Sequence, residues 1–310
     1  MLTVLLRRVL SSVIALVTLL IFVFVMARFT GDPARLYLGE GASQKALDQY
    51  RAQHGLDKPI PVQFGHYMHG VFTLDFGDST LYNQPAMHVA LTRFPNTLML
   101  ALITFVVGLV IGTTLGAYAA YRPGSIGDRV ITSLASLALS VPSFWLAILL
   151  ILIFSLKLHA LPTTGKTGAS SFVMPLLTLV IANVGVIIQV ARDSMAGVLA
   201  SDYVTTARAK GLKPSRIVVV HAIRNASIPV LTIAGATAIG IVNGALIVET
   251  VFDWPGIGKV VVDAVLNRDF PLLQSAVIVI GTAVLVFNLL IDLSYAALDP
   301  RIRVRKVSSR

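Results

Sequence analysis

Six stretches of the chain carry apolar residues at close to membrane-spanning length: 9–27, 97–120, 130–155, 172–191, 228–248 and 272–295. A helix needs about 20 such residues to cross a bilayer, so the pattern predicts an all-α integral membrane protein with six transmembrane helices. The third stretch is interrupted by Ser140, Val141, Pro142 and Ser143. A proline inside a span frees a backbone carbonyl, which is tolerated where protein or a water-lined cavity satisfies it. The second carries Gly108, Gly112 and Gly116 at four-residue spacing, a pattern that lets helices pack closely in lipid. The polar intervals differ in kind. Residues 30–95 form a long excursion, starting with a turn at 31–36. Within it, residues 43–54 read as a short amphipathic helix with Leu47, Tyr50 and His54 on one face and Gly55 at its end. Residues 157–171 and 252–271 read as loops.

Composition sharpens this picture. The chain of 310 residues is 55% hydrophobic and only 13% charged, with mean hydropathy +0.81. A soluble domain is about a quarter charged. There is no cysteine, which excludes disulfides, thiolate metal sites and cysteine nucleophiles. The net charge of +10 reads as orientation rather than nucleic-acid binding, because cytoplasmic loops hold the excess of Lys and Arg. Most of those residues fall in alternate segments: Arg7 and Arg8, Arg122 and Arg129, 192–226, and the tail from Arg301 to Arg310. Both termini are therefore expected in the cytoplasm. The N-terminal run exceeds a signal-peptide core and no A-x-A site follows it, so it reads as an uncleaved anchor. The expected organisation is an anchor helix with an extracytoplasmic region over 1–95, a five-helix core over 96–298 that includes a cytoplasmic loop at 192–226, and a basic cytoplasmic tail at 299–310.

Residues 201–229 are the long basic polar segment between two apolar runs. Ser201 or Asp202 can cap a helix, residues 203–210 continue it, and Gly211 stands where a terminating glycine belongs. Pro214 suits the first turn of a second helix. Ala207, Ala209 and Gly211 leave room for another protein's surface. His221, Arg224 and Asn225 follow at helical i, i+3, i+4 spacing, as a docking or loop-pinning cluster. Polar groups at span depth are costly and tend to be functional. Asn183, Gln189 and Asn243 are such groups, serving either interhelical hydrogen bonds or a pathway, while Glu249 and Asp292 sit near span ends as interfacial groups. The stretch 160–167 fits a loose phosphate-loop pattern, but a membrane helix precedes it instead of a strand, so it reads as coincidence. His54, His66, His69 and His88 share the outer excursion without metal-site spacing. No catalytic constellation stands out, and neither an enzymatic activity nor a metal or cofactor of the chain's own is expected.

Several of these stretches together resemble the membrane permease subunit of binding-protein-dependent ABC importers, in the branch serving dipeptides, oligopeptides, glutathione and nickel. The resemblance rests on DYVTTARAKGL (202–212) and HAIRNASIP (221–229), similar to the family's cytoplasmic EAA loop with its alanine and glycine on Ala207 and Gly211. HGLDKP, RFPNTL, SVPSFW, ETVFDWPGIG, RDFP and LDPRIR follow the family in order along the chain. Thr205 and Thr206 stand where the family's nominal pattern has Glu-Ala. The resemblance implies a type I ABC importer permease fold with a coupling helix between the fourth and fifth spans. It implies a homologous second permease subunit, two cytoplasmic ATPase subunits that use ATP and Mg, and an extracytoplasmic substrate-binding protein. Asp202, Tyr203, Thr205, Thr206, Ala207, Ala209, Lys210, Gly211, His221, Arg224 and Asn225 would then form the ATPase-coupling element. Pro142, Asn183, Gly240, Asn243 and Gly244 are the candidates for the translocation path. A peptide or glutathione-like solute is the expected cargo, a nickel chelate the alternative. A self-contained secondary transporter or channel is the competing class, but the chain shows no clear repeat and no mid-span acidic residue.

Overall fold

The computed structural model describes residues 2–29, 33–39, 41–53, 55–211 and 223–298. These form helices and connecting turns, with one isolated bridge between Asp78 and Pro85. Among the described residues, five helices are long and apolar enough to cross a membrane, or six if the bent pair Ile126–Ser140 and Ser143–Lys157 is one span. The chain divides into two compact units. The first comprises Met1–Asn96 with Pro255–Leu289, the second Thr97–Trp254 with Leu290–Arg310.

In the first unit, α1 (Leu2–Phe29) carries the first apolar window, and α2 (Pro33–Leu38) occupies what the sequence presents as a turn. In α3 (Gln44–Gln53), the Ser43 hydroxyl accepts from the Ala46 amide and Leu47 is buried, as the amphipathic pattern requires. His54 lies outside the described residues. Two further helices occupy stretches that read as irregular. The first is α4 (Ile60–Thr73), which starts after Pro59 and buries Gln63, Tyr67 and Gly70 at i, i+4, i+7. The second, α11 (Ile257–Leu266), lies inside the expected 252–271 loop and buries Ile257, Val260 and Ala264 on one face. Both are too short to show as apolar runs; their signal is the one-sided helical period. The core gathers Leu20 and Phe24 of α1, Tyr67 of α4, Met87 and Val89 of α5 (Ala86–Tyr121), and Leu272 and Ala276 of α12 (Phe270–Leu298). The Phe24 ring meets Phe64 edge-on at 5.3 Å. Asp269 is fully buried at the start of α12. Its carboxylate accepts from the Ser79 hydroxyl at 2.6 Å and from the amides of Leu81 and Leu272 at 3.1 Å, tying the 79–81 turn to the helix N-terminus.

In the second unit, α8 (Val173–Leu199) is the central element. Of its apolar window 56% is buried, against 33% for α10 (Ile223–Val251) and 28% for α5. The expected third span is not one straight helix. It consists of α6 (Ile126–Ser140) and α7 (Ser143–Leu150), bent by 102° and continued by a π-helical turn at Ile151–Lys157. The cause is Pro142, which pushes Val141 into an extended conformation and takes the N-cap position of α7. The fourth and second spans also run further than their apolar windows: α8 continues past Arg192 to Leu199, and α5 starts at Ala86, with Pro95 inside it.

Helix contact in this unit is set by missing side chains. A Cβ on Gly116 would stand 2.6 Å from the Ile188 carbonyl oxygen, and one on Gly112 2.6 Å from Ile187 Cγ2. A Cβ on Gly185 of α8 would stand 2.5 Å from the Ala135 carbonyl oxygen of α6, whereas Gly108 faces open space. The three glycines of α5 should therefore differ. Gly116→Ala meets rigid backbone and is expected to lower the detergent melting temperature by several degrees, roughly 1–3 kcal/mol of overpacking. Gly112→Ala meets Cγ2 and Cβ of the buried Ile187 at 2.6 and 2.8 Å, a stem that rotation about χ1 does not clear, and should cost a comparable amount, whereas Gly108→Ala should be neutral. Equal melting temperatures for all three variants would refute this ordering.

Candidate coupling element and translocation path

The candidate coupling element folds as a helix of its own, α9 (Asp202–Ala209), joined to α8 by Ala200 and Ser201. The Ser201 hydroxyl does not cap α9. It donates back to the Val198 carbonyl, and the Ser201 carbonyl starts the helix by accepting from the Val204 amide. Asp202 lies in the first turn and Lys210 just past the last, both favourable for the helix dipole. Gly211 has φ +74°, the left-handed conformation that ends a helix at little cost for glycine alone. Asp202, Tyr203, Thr205, Thr206, Ala209, Lys210 and Gly211 are all exposed. Val204 is wholly buried and fastens the helix from beneath. The sequence reading passed over Val204; its signal is a lone aliphatic in a polar run. Thr206 donates to the Asp202 carbonyl at 3.0 Å, so its hydroxyl is used inside the helix. His221 lies outside the described residues. Arg224 and Asn225 fall in the first turn of α10.

Directly before this element, α8 is bound to α6 by a bidentate ion pair. Arg192 Nε reaches Asp128 Oδ1 at 2.6 Å, and Nη2 reaches Oδ2 at 2.9 Å. The Gly124 amide also donates to Asp128 Oδ2 at 2.9 Å, and the Ser125 hydroxyl caps α6 on the Asp128 amide. The Asp128 side chain is 5% exposed. The two residues stand 64 positions apart, which is why neither charge was paired with the other from sequence.

The polar span residues have three different fates. Gln189 donates from Nε2 to the Ser136 hydroxyl at 3.3 Å, an interhelical bond between α8 and α6. Asn183 donates to the Leu179 carbonyl of its own helix at 2.8 Å and turns Oδ1 toward Gly240 of α10, 3.7 Å from where a Cβ would stand. Gly244 faces Leu179 in the same way at 3.5 Å. The structure thus brings Asn183, Gly240 and Gly244 together at the α8–α10 contact. Asn243 is exposed on α10, and Pro142 is exposed at the α6–α7 break.

Residues 112–304 match the family of binding-protein-dependent transport system inner membrane components, and residues 1–101 match the N-terminal membrane component of the same systems. The chain belongs to this family. Curated relatives include a probable peptide ABC transporter permease of Sinorhizobium fredii, 34% identical over 307 residues that cover 96% of this chain and 98% of the relative. A glutathione transport system permease protein of Salmonella typhimurium is 38% identical over 307 residues, 98% of this chain and 100% of the relative. Among solved structures, the inward-facing MetNI methionine ABC transporter matches with TM-score 0.59 at 17% identity, over 69% of this chain and 97% of that one. An amino acid ABC transporter matches with TM-score 0.52 at 16% identity, over 67% and 94%. These likenesses establish the type I importer permease fold. The protein is a multi-pass inner-membrane permease subunit of an ABC importer, and the reading as a self-contained transporter or channel is not favoured.

Other groups singled out in the permease have local duties. Glu249, read as interfacial, is fully buried, and its Oε1 accepts from the Thr97 hydroxyl. The turn after it is held by the Trp254 amide on the Glu249 carbonyl at 2.8 Å. The phosphate-loop-like stretch packs on this turn: the Gly165 amide donates to the Phe252 carbonyl at 2.8 Å, and Lys166 Nζ lies 5.7 Å from the Trp254 ring centroid. His66 and His69 lie on α4 and His88 on α5, and among the described residues no three metal-ligating side chains converge. The Asp292 side chain lies outside what is described.

The Asp128–Arg192 pair yields a specific expectation. Removing one partner leaves the other charge at the helix contact without its counter-charge, whereas replacing both by apolar groups is close to neutral. Asp128→Leu and Arg192→Met alone should each lower the melting temperature markedly, and the double variant should recover most of the loss. A double variant as unstable as the sum of the singles would contradict this.

Proposed function

We propose that the permease forms, with a homologous second permease subunit, the path by which a short peptide is imported across the cytoplasmic membrane of a bacterium. Two cytoplasmic ATPase subunits, which bind and hydrolyse ATP with Mg, would supply the work, and an extracytoplasmic binding protein would deliver the cargo. The charge distribution supports cytoplasmic termini and an extracytoplasmic 30–95 region. The single observation that carries the coupling role is α9: a polar, exposed, glycine-terminated helix with Val204 buried beneath it, directly after the most enclosed of the candidate spans. Asp202, Tyr203, Thr205, Thr206, Ala209, Lys210 and Gly211 form the surface offered to an ATPase subunit. Ala207 is assigned to the same helix by sequence, and His221, Arg224 and Asn225 to the pinning of the loop. Cargo of peptide or glutathione type follows the relatives named for peptide and glutathione transport; a nickel chelate is the second choice.

For the path, Asn243 is the informative residue. A carboxamide exposed at span depth is costly against lipid, so it belongs against the second subunit or on a water-filled path. Asn183, Gly240 and Gly244 complete that α8–α10 surface, and Pro142 marks the bend across from which helices reorient.

Two experiments test these roles. Gly211→Glu, in the assembled importer, is expected to abolish peptide uptake and substrate-stimulated ATPase activity without loss of membrane insertion. Gly211→Asn, which tolerates the left-handed conformation, should keep much of both. Wild-type uptake in Gly211→Glu would end the coupling proposal. Asn243→Cys, in this cysteine-free chain, is expected to react with an aqueous thiol reagent in at least one nucleotide state. Failure to label in every state would remove it from the path.

A further inference from the structure

In the first compact unit, α3 and α4 turn opposite kinds of face outward. α3 buries Leu47 and carries Lys45, Asp48 and Arg51, with the Arg51 guanidinium 2.8 Å from Asp48 Oδ1. That is the pattern of a helix facing water. α4 buries Gln63, Tyr67 and Gly70 but contains no Asp, Glu, Lys or Arg. Its opposite face exposes Val62, Gly65, His66, His69, Phe72 and Thr73. The Phe72 side chain is 82% exposed, and Ile60 and Leu74, at the two ends of the helix, are each more than half exposed. The Thr73 hydroxyl donates to the His69 carbonyl at 2.9 Å, which leaves two imidazoles as the polar groups of that face. An exposed apolar patch of this kind marks a contact with protein or with membrane.

The level at which α4 sits decides between the two. Phe24 lies two residues inside the end of the apolar window of α1, Val9–Met26, and one turn before Arg28. Its ring stands 5.3 Å from Phe64 and 5.3 Å from Tyr67 of α4. Leu272, two residues inside the apolar window of α12, joins the same core cluster as Phe24 and Tyr67. The middle of α4 is therefore held level with the ends of two spans. The chain leaving α4 folds straight back. Leu74 turns at φ +56°, the Asp75 amide donates to the Gly70 carbonyl at 3.0 Å, and the Phe76 ring returns to 6.2 Å from Tyr67. Val62 and Phe72 stand five residues to either side of Tyr67, about 8 Å along the helix. The headgroup layer on each side of the hydrocarbon is itself about 5–8 Å thick. Whichever way α4 points, both residues stay within that layer or the edge of the hydrocarbon.

We infer that the outer face of α4 is a lipid contact and that the helix lies in the membrane interface. Val62, Phe72 and Leu74 meet the upper acyl carbons, and His66 and His69 stand among the headgroups. α1, on which α4 packs, exposes Val17, Ile21, Phe22 and Met26 toward the same end of its span, so the lipid boundary of that span reaches the level of α4. Interfacial helices bury their apolar side about 5–10 Å into the headgroup and acyl boundary, and aromatic side chains favour this depth. The 30–95 region thus has a membrane anchor of its own between its two flanking spans. The inference requires that α1 and α12 cross a bilayer. It is independent of the cargo and of the coupling role of α9.

The test places the photoreactive residue p-benzoylphenylalanine at position 72, at position 62, or for comparison at position 49 on the charged α3. The assembled importer, with its binding protein present, is irradiated in nanodiscs of phosphatidylethanolamine and phosphatidylglycerol, and the mass of the permease chain is measured. Phe72 and Val62 are exposed, so the probe leaves the core packing intact. The permease is expected to gain the mass of one phospholipid at positions 72 and 62 and none at Gln49. The inference is overturned if position 72 cross-links to the binding protein or to the second permease subunit, which would assign the face to that partner. It is equally overturned if lipid adducts at position 72 are no more frequent than at Gln49.

Discussion

Two helices bring their backbones into van der Waals contact only where one of them presents no side chain. In this permease that condition is met at Gly112 and Gly116 of α5 and, on an adjacent face of the same partner, at Gly185 of α8. In lipid the hydrophobic effect does not press helices together, so close packing of this kind and polar links must do it. The Gln189–Ser136 bond and the Arg192–Asp128 pair add those links between α8 and α6. α8 is consequently held by α5 and α6 on two adjacent faces along its C-terminal half.

Two buried carboxylates organise the turns that the spans leave exposed to irregular backbone. Asp269 gathers a hydroxyl and two amides in the first unit, and Glu249 takes the Thr97 hydroxyl in the second, at the head of the turn that closes over Trp254. Both are acceptors placed where donors would otherwise be stranded away from water. The Trp254 turn in turn consumes the Gly165 amide. This explains physically why a glycine- and lysine-bearing stretch with a nucleotide-loop spacing is a packing surface.

The spans, the Pro142 interruption and α9 were legible because each has a local signature: a long apolar run, a residue that forbids the helical conformation before it, and a short helical run ended by glycine. α4 and α11 were not, because a helix of three or four turns inside a polar excursion shows only one-sided burial, which composition does not register. Ion pairing of Asp128 and Arg192 was invisible for another reason. Each charge sits near a span end, where a solvated fate is the default, and only the tertiary fold reveals that they meet. Glu249 was misjudged by its position in the sequence: being near a span end does not place a side chain in the interface when the following turn folds back over it.

The contacts on α8 also bear on its mechanics. The helix is about 40 Å long, and its closest contacts, at Gly185, Ile187, Ile188, Ala191 and Arg192, lie a few residues beyond its middle, toward the C-terminal end. From their centre about 16 Å of helix runs to Leu199 and about 23 Å to Val173. A rigid rod tilted about that point moves its Val173 end about one and a half times as far as its Leu199 end. Gain in travel at the long arm is matched by loss in force.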